Sequence, residues 1–140
     1  MNPVQLKSLY DRIFIRTATV AIGTFILNTI GMWLSLYSIL WWYDMPMHFL
    51  GGLFTCLLII SILLRIKKVK NLPVFYIAII SFVLTLLIGL IWEGYEIFWD
   101  IFAGKKHIFI DSLSDIFFDL AGGVEAVFIY LRHRKIVLGK

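Results

Sequence analysis

Four apolar runs alternate with short polar connections along this chain. They extend from roughly Ile13 to Leu40, Pro46 to Leu64, Val74 to Trp99 and Ser112 to Leu131. A spanning helix needs about 20 mostly apolar residues, so each run is long enough to cross a bilayer. The fourth is the most polar. The pattern predicts an all-α integral membrane protein, an antiparallel bundle of four transmembrane helices forming one domain over residues 1–140. No internal repeat or low-complexity tract interrupts it.

Polar positions inside the runs recur at helical spacing. At about 100° per residue, Asp44, His48, Gly51 and Thr55 share one face of the second run, with Gly52 beside them. Gly89, Glu93, Glu96 and Asp100 form a stripe near the end of the third. Asp111, Asp115 and Asp119 are spaced by four and line one face of the fourth with Gly122 and Ala126. Thr17, Thr24, Asn28, Gly31 and Ser35 make a milder stripe on the first, of the kind that packs helices together. Bundled helices turn such stripes inward, because lipid rejects them.

Composition agrees. Of 140 residues, 61% are hydrophobic, and mean hydropathy is +0.91. A soluble domain this small buries only about two-thirds of its surface and has no room for that apolar content. The single cysteine, Cys56, lies in an apolar run. It excludes an internal disulfide and CxxC metal motifs, and reads as a small core residue. The formal charge of +4 raises nucleic acid as a partner, but the basic residues flank apolar spans. Topology and anionic headgroups account for them, so membrane lipids are expected as partners and nucleic acid is not.

Charge also orients the chain. Lys7, Arg12 and Arg16 open the first span. Arg65, Lys67, Lys68 and Lys70 separate spans two and three. Arg132, Arg134, Lys135 and Lys140 follow span four. With four spans, all three groups fall on one side, which the positive-inside rule makes cytoplasmic. Both termini are then cytoplasmic, in an inner membrane. The outer loops carry only Lys105 and Lys106 as basic residues. Seven of the nine acids (Asp44, Glu93, Glu96, Asp100, Asp111, Asp115 and Asp119) collect at the outer rim. Trp41, Trp42, Tyr43, Trp92, Tyr95 and Trp99 form an aromatic belt there. The spread-out basic residues and long first run are unlike a cleavable signal.

Some of the rim acids have ordinary explanations. Asp44, Asp100 and Asp111 suit helix caps and solvated ends, and Ser112 with Asp115 fits a capping box. Asp119 lies two turns further in, and Glu93 lies about 10 Å inside the third helix's exit at 1.5 Å per residue. Carboxylates at that depth need protons, partners or a cation. One histidine with several carboxylates is a hard, oxygen-rich set that suits Mg²⁺, Mn²⁺ or Ca²⁺, with Zn²⁺ or Fe²⁺ as alternatives. His48, Glu93, Asp115 and Asp119 are the expected metal ligands, with Glu96 or Asp111 as general base. Glu125 and Arg16, at similar depth, are expected to pair.

The blocks Asp44-Met-Pro-Met-His48 before Gly51-Gly52, Trp92-Glu93 with Glu96, and Asp111, Asp115 and Asp119 before Gly122-Gly123 resemble the YjdF-like proteins. These are small bacterial inner-membrane proteins of unknown function. More distantly the blocks resemble VanZ-like proteins, some of which are associated with glycopeptide resistance. The resemblance covers roughly residues 43 to 123, and this chain is shorter than typical YjdF-like proteins, which tend to have additional N-terminal spans. It implies a polytopic membrane fold and supplies no reaction. Three functions fit the pattern: a metal-dependent enzyme acting on a lipid or lipid-linked substrate, an ion- or proton-coupled transporter that would need a homodimer to complete a path, and a non-catalytic assembly protein.

Overall fold

The computed structural model describes residues 1–66, 72–104 and 109–139. Lys67, Lys68, Lys70, Lys105, Lys106 and Lys140, which enter the charge argument, lie outside them. Every regular element among the described residues is a helix: α1 (Pro3–Trp33), α2 (Leu36–Ile39), α3 (Asp44–Arg65), α4 (Val74–Phe102) and α5 (Phe109–Leu138).

Local chemistry sets the bounds of α1. The Asn2 side chain accepts from the Gln5 N–H at 2.8 Å, and the Gln5 side chain accepts from the Asn2 N–H at 3.0 Å. Pro3 occupies the first turn, where its missing N–H costs nothing. This capping box starts the helix well before the apolar run does. The helix also ends earlier than expected. Ser35 adopts a left-handed conformation (φ 55°, ψ 32°), so the run to Leu40 breaks into α1 and the single turn of α2. Hydropathy does not register such a break. Hydrogen bonds tie the turn back. The Tyr37 hydroxyl donates to Asn28 Oδ1 at 2.7 Å, and the Tyr43 hydroxyl donates to the Leu27 carbonyl at 2.8 Å. Gly31 leaves space for the Tyr43 ring, since a Cβ there would lie 2.9 Å from its hydroxyl oxygen.

The centre of the bundle is α3. Half of its most apolar stretch is buried inside the protein, against 11% for α1 and 22% for α4. It packs most extensively on α5, then on α1 and α4, and α5 also touches both outer helices. No comparable interface joins α1 to α4. The core gathers Leu9 and Ile13 of α1, Cys56, Leu57 and Ile60 of α3, Ile77 of α4 and Tyr130 of α5. Thr17 donates to the Ile13 carbonyl at 2.9 Å and meets Ser61 across the α1–α3 interface at 3.2 Å. The first run's hydroxyl stripe is therefore partly helix-packing contact, as its spacing suggests.

Two glycines let α3 and α5 approach closely. A methyl group on Gly52 would overlap the backbone carbonyl of Asp119. One on Gly122 would overlap the carbonyl of Phe49. Small residues at facing positions allow this backbone contact.

Large apolar side chains stay exposed on the outer surfaces of α1 and α4, among them Ile22, Val83 and Ile91. Three helices, α1, α3 and α4, are long and apolar enough to cross a membrane. At 30 residues α5 is about 45 Å long, but Ser112, Asp115 and Asp119 make it more polar. Those three residues are buried against the other helices.

Candidate functional site

His48 sits in the second turn of α3, where Pro46 in the first turn fits a helix start. The ring is 7% exposed, and three carboxylates surround it. Nε2 lies 3.8 Å from Asp44 and 3.9 Å from Asp115. On the other edge, Nδ1 lies 3.5 Å from Asp119. These separations exceed the 2.7–3.2 Å of a well-formed N–H···O bond. The two Nε2 separations are near the length of a coordination-shell edge, since two ligands each about 2.2 Å from an ion and about 110° apart are about 3.6 Å from one another, whereas the Nδ1–Asp119 contact lies on the far side of the ring.

From α4, Glu93 and Glu96 face the same point. His48, Glu93, Glu96 and Asp115 each offer one ligand atom, and those atoms all lie within 4.8 Å of one another. That span is about twice a Ca–O distance of about 2.4 Å, the widest separation that two donors to one such ion can have. Glu93 is 4% exposed, and its Oε1 has no hydrogen-bond partner. Among the described residues, no Lys or Arg forms an ion pair with Glu93, Glu96, Asp115 or Asp119. A buried carboxylate oxygen without a donor is costly in low dielectric and needs a proton or a cation.

Helical spacing explains the convergence. The buried positions of α4 are Ile77, Ser81, Thr85, Gly89 and Glu93, an unbroken series of four-residue steps. Those of α5 include Asp115, Asp119, Gly122, Ala126 and Tyr130. The two stripes meet beside α3. Gly89 leaves room for Asp119, because a Cβ on it would lie 2.8 Å from Asp119 Oδ2.

The expected site residues separate into places. His48, Glu93, Glu96 and Asp115 form one group. Asp119 touches the opposite ring nitrogen from Asp115, a distinction that spacing alone does not make. Asp111 is exposed in the first turn of α5, outside the group. Asp44, read as a cap, is the first residue of α3 after the N-cap Tyr43, makes no capping bond among the described residues and approaches the ring. Glu125 is exposed, and no ion pair joins it to Arg16 among the described residues. It follows Val124 on the outer face of α5, away from buried Ala126.

The cluster heads a crevice of about 770 Å³ that fills the gap between α1 and α4. Thr24, Phe25 and Asn28 form one wall, Ile88, Gly89 and Trp92 the other, and Gly51, Gly52 and Thr55 the floor. His48, Glu96, Asp44 and Asp119 line its polar end. The crevice itself is not readable from periodicity, because it arises from two helices that fail to pack.

No curated protein and no solved structure matches the chain. A family model described as "Predicted membrane protein (DUF2238)" matches residues 7–135. Nearly all of the bundle lies within that match, cluster and crevice included, and the chain belongs to this membrane protein family.

Proposed function

We propose that this is a four-span inner-membrane protein whose His48 cluster binds a divalent cation and acts on the headgroup of a lipid or lipid-linked substrate. The observation that carries the reading is Glu93. Its carboxylate is buried beside His48, and one oxygen lacks any partner. Burial of a charge in this state is sustained when a cation completes it.

In this reading α5 is the fourth span, and both termini are cytoplasmic. The cluster then faces the outer leaflet, as the positive-inside distribution requires. His48, Glu93 and Asp115 hold the cation, and Asp119 orients the His48 ring from Nδ1, as carboxylates commonly do for metal-bound histidines. A bound divalent ion supplies Lewis acidity toward a phosphoryl or carbonyl oxygen and lowers the pKa of water. Glu96 borders both the donor group and the crevice. It is therefore placed to accept a proton from an attacking water. Asp111 serves the helix start.

The crevice supports a lipid as substrate. From Thr85 to Glu96 its α4 wall runs about 16 Å, close to half of the roughly 30 Å hydrocarbon core. Phe25, on the facing wall, is 72% exposed, so the slot opens sideways toward lipid. One acyl chain of an outer-leaflet lipid fits it, with the headgroup at His48. The likeness to YjdF-like and VanZ-like proteins is compatible with such a substrate. Transport has less support, because along α1 the crevice lining ends at Ala21, about halfway along the helix, and its last polar residue there is Thr24.

The test is elemental analysis of purified protein, followed by turnover against lipid phosphates. Wild type should carry one divalent ion per chain. Glu93→Gln should lose it, and Asp119→Asn should weaken its retention by about 10–100-fold. Stable, metal-free wild type would sink the metal-dependent reading. Bound metal without turnover of any lipid would favour an ion-coupled or structural role.

A further inference from the structure

The opposite end of the bundle carries the reverse charge. Arg12 and Arg16 stand one turn apart on α1. Ile129, Arg132, His133 and Ile136 follow i, i+3, i+4, i+7 spacing on α5, so they share a face. These six residues line a cavity of about 400 Å³ beside the α1–α5 contact. Along α5, Asp119 and Arg132 are about 20 Å apart, so this cavity is separate from the His48 cluster.

The positive groups have no counter-charge. Among the described residues, no carboxylate forms an ion pair with Arg12, Arg16 or Arg132. Asp11 and Glu125, the acids nearest in sequence, are both exposed. Arg65 differs, because its guanidinium lies over the Tyr10 ring at 4.4 Å. His133 Nδ1 is buried and has no hydrogen-bond partner. Burial, then the guanidinium groups of Arg16, Arg12 and Arg132, hold His133 below the ordinary histidine range. Three like charges converge on a pocket with a vacant nitrogen, and an anion relieves their repulsion.

The donors select the anion. Planar guanidinium forks match phosphate oxygens bidentately, and a neutral imidazole adds one further N–H. We propose that this pocket binds a phosphate group, that of an anionic phospholipid seated between α1 and α5. Ile129 and Ile136 give the glycerol and first methylenes an apolar wall. Basic pockets between helices at a membrane surface suit such headgroups. Free inorganic phosphate has the same chemistry, and the two sources are separable by experiment.

The experiment uses the full chain in neutral detergent, titrated in parallel with phosphatidylglycerol, inorganic phosphate and a carboxylate amphiphile of equal charge. Native mass spectrometry reads stoichiometry, and thermal stabilisation reads affinity. Phosphatidylglycerol should bind one per chain. Arg16→Gln and Arg132→Gln should each weaken it about tenfold or more. Arg16→Lys should recover only part of the loss. Lys135→Gln, which removes the same charge outside the pocket, should leave binding unchanged. Equal protection by inorganic phosphate would support the phosphate site and identify a soluble anion as its source. Equal losses in Lys135→Gln and Arg16→Gln, or equal binding of the carboxylate amphiphile, would overturn the proposal in favour of diffuse surface charge.

Discussion

Gly52→Ala probes the contact on which both the bundle and the cluster depend. The added methyl carbon would lie 2.6 Å from the carbonyl carbon and 2.7 Å from the Cα of Asp119. Ordinary carbon contacts are about 3.5–4.0 Å, so α3 and α5 must separate by about 1 Å. The obstacle is backbone and cannot rotate aside as a flexible side chain would. Overpacking costs about 1–3 kcal/mol, and a backbone clash belongs at the upper end. Removing a helical glycine returns about 1 kcal/mol of helix propensity. The net loss is about 2 kcal/mol, roughly 30-fold in the folded-to-unfolded ratio. The same 1 Å shift carries the Asp119 carboxylate away from His48 Nδ1, now 3.5 Å distant. Gly23→Ala is the control, since nothing lies within 4 Å of its Cβ position. Unfolding in mixed micelles with rising dodecyl sulfate, followed by tryptophan fluorescence and far-ultraviolet dichroism, measures both variants. Gly52→Ala should unfold at lower dodecyl sulfate than wild type, and Gly23→Ala at the same or higher. Equal stability of the two would refute the close α3–α5 contact.

Two further outcomes are expected. Cysteine reporters at residues 72 and 104, in a Cys56→Ser background, should label from opposite sides of sealed membranes; same-side labelling would break the four-span reading. His133 has a folded-state pKa below its unfolded value near 6.5. Its charged form is disfavoured in the fold, so stability is constant above that unfolded value and falls as pH drops through it. His133→Gln should flatten the pH dependence of the unfolding midpoint between about pH 7 and 5; an unchanged slope would show that neither burial nor Arg16, Arg12 and Arg132 disfavours its charged form in the fold.

Much of this architecture is legible in the sequence, because lipid makes helical periodicity strict. The faces drawn through Asp44 and His48, through Gly89 and Glu93, and through Asp115 and Asp119 are the faces that meet. What periodicity omits is anything set by a single dihedral angle or by missing contact. Ser35 breaks the first run without a glycine or proline to mark it. Asn2, Pro3 and Gln5 do carry a helix-start signal, but they precede the apolar run that draws attention. The α1–α4 crevice leaves no trace, since lipid-facing and crevice-facing apolar residues look alike. Equal depth suggested a Glu125–Arg16 pair. Depth alone does not fix rotation about the helix axis, and Glu125 turns outward.

The burial of α5 bears on how the protein is made. This helix is synthesised after α3 and α4, and its aspartates make it a poor candidate to enter lipid alone. The complementary surface, with His48 and the gap above Gly52, is already present on α3 when α5 emerges. Docking on α3 is what buries these aspartates, and Glu93 and His48 stay without their α5 neighbour, Asp115, until α5 arrives. A chain cut short before α5 therefore leaves the polar faces of α3 and α4 without the helix that covers them.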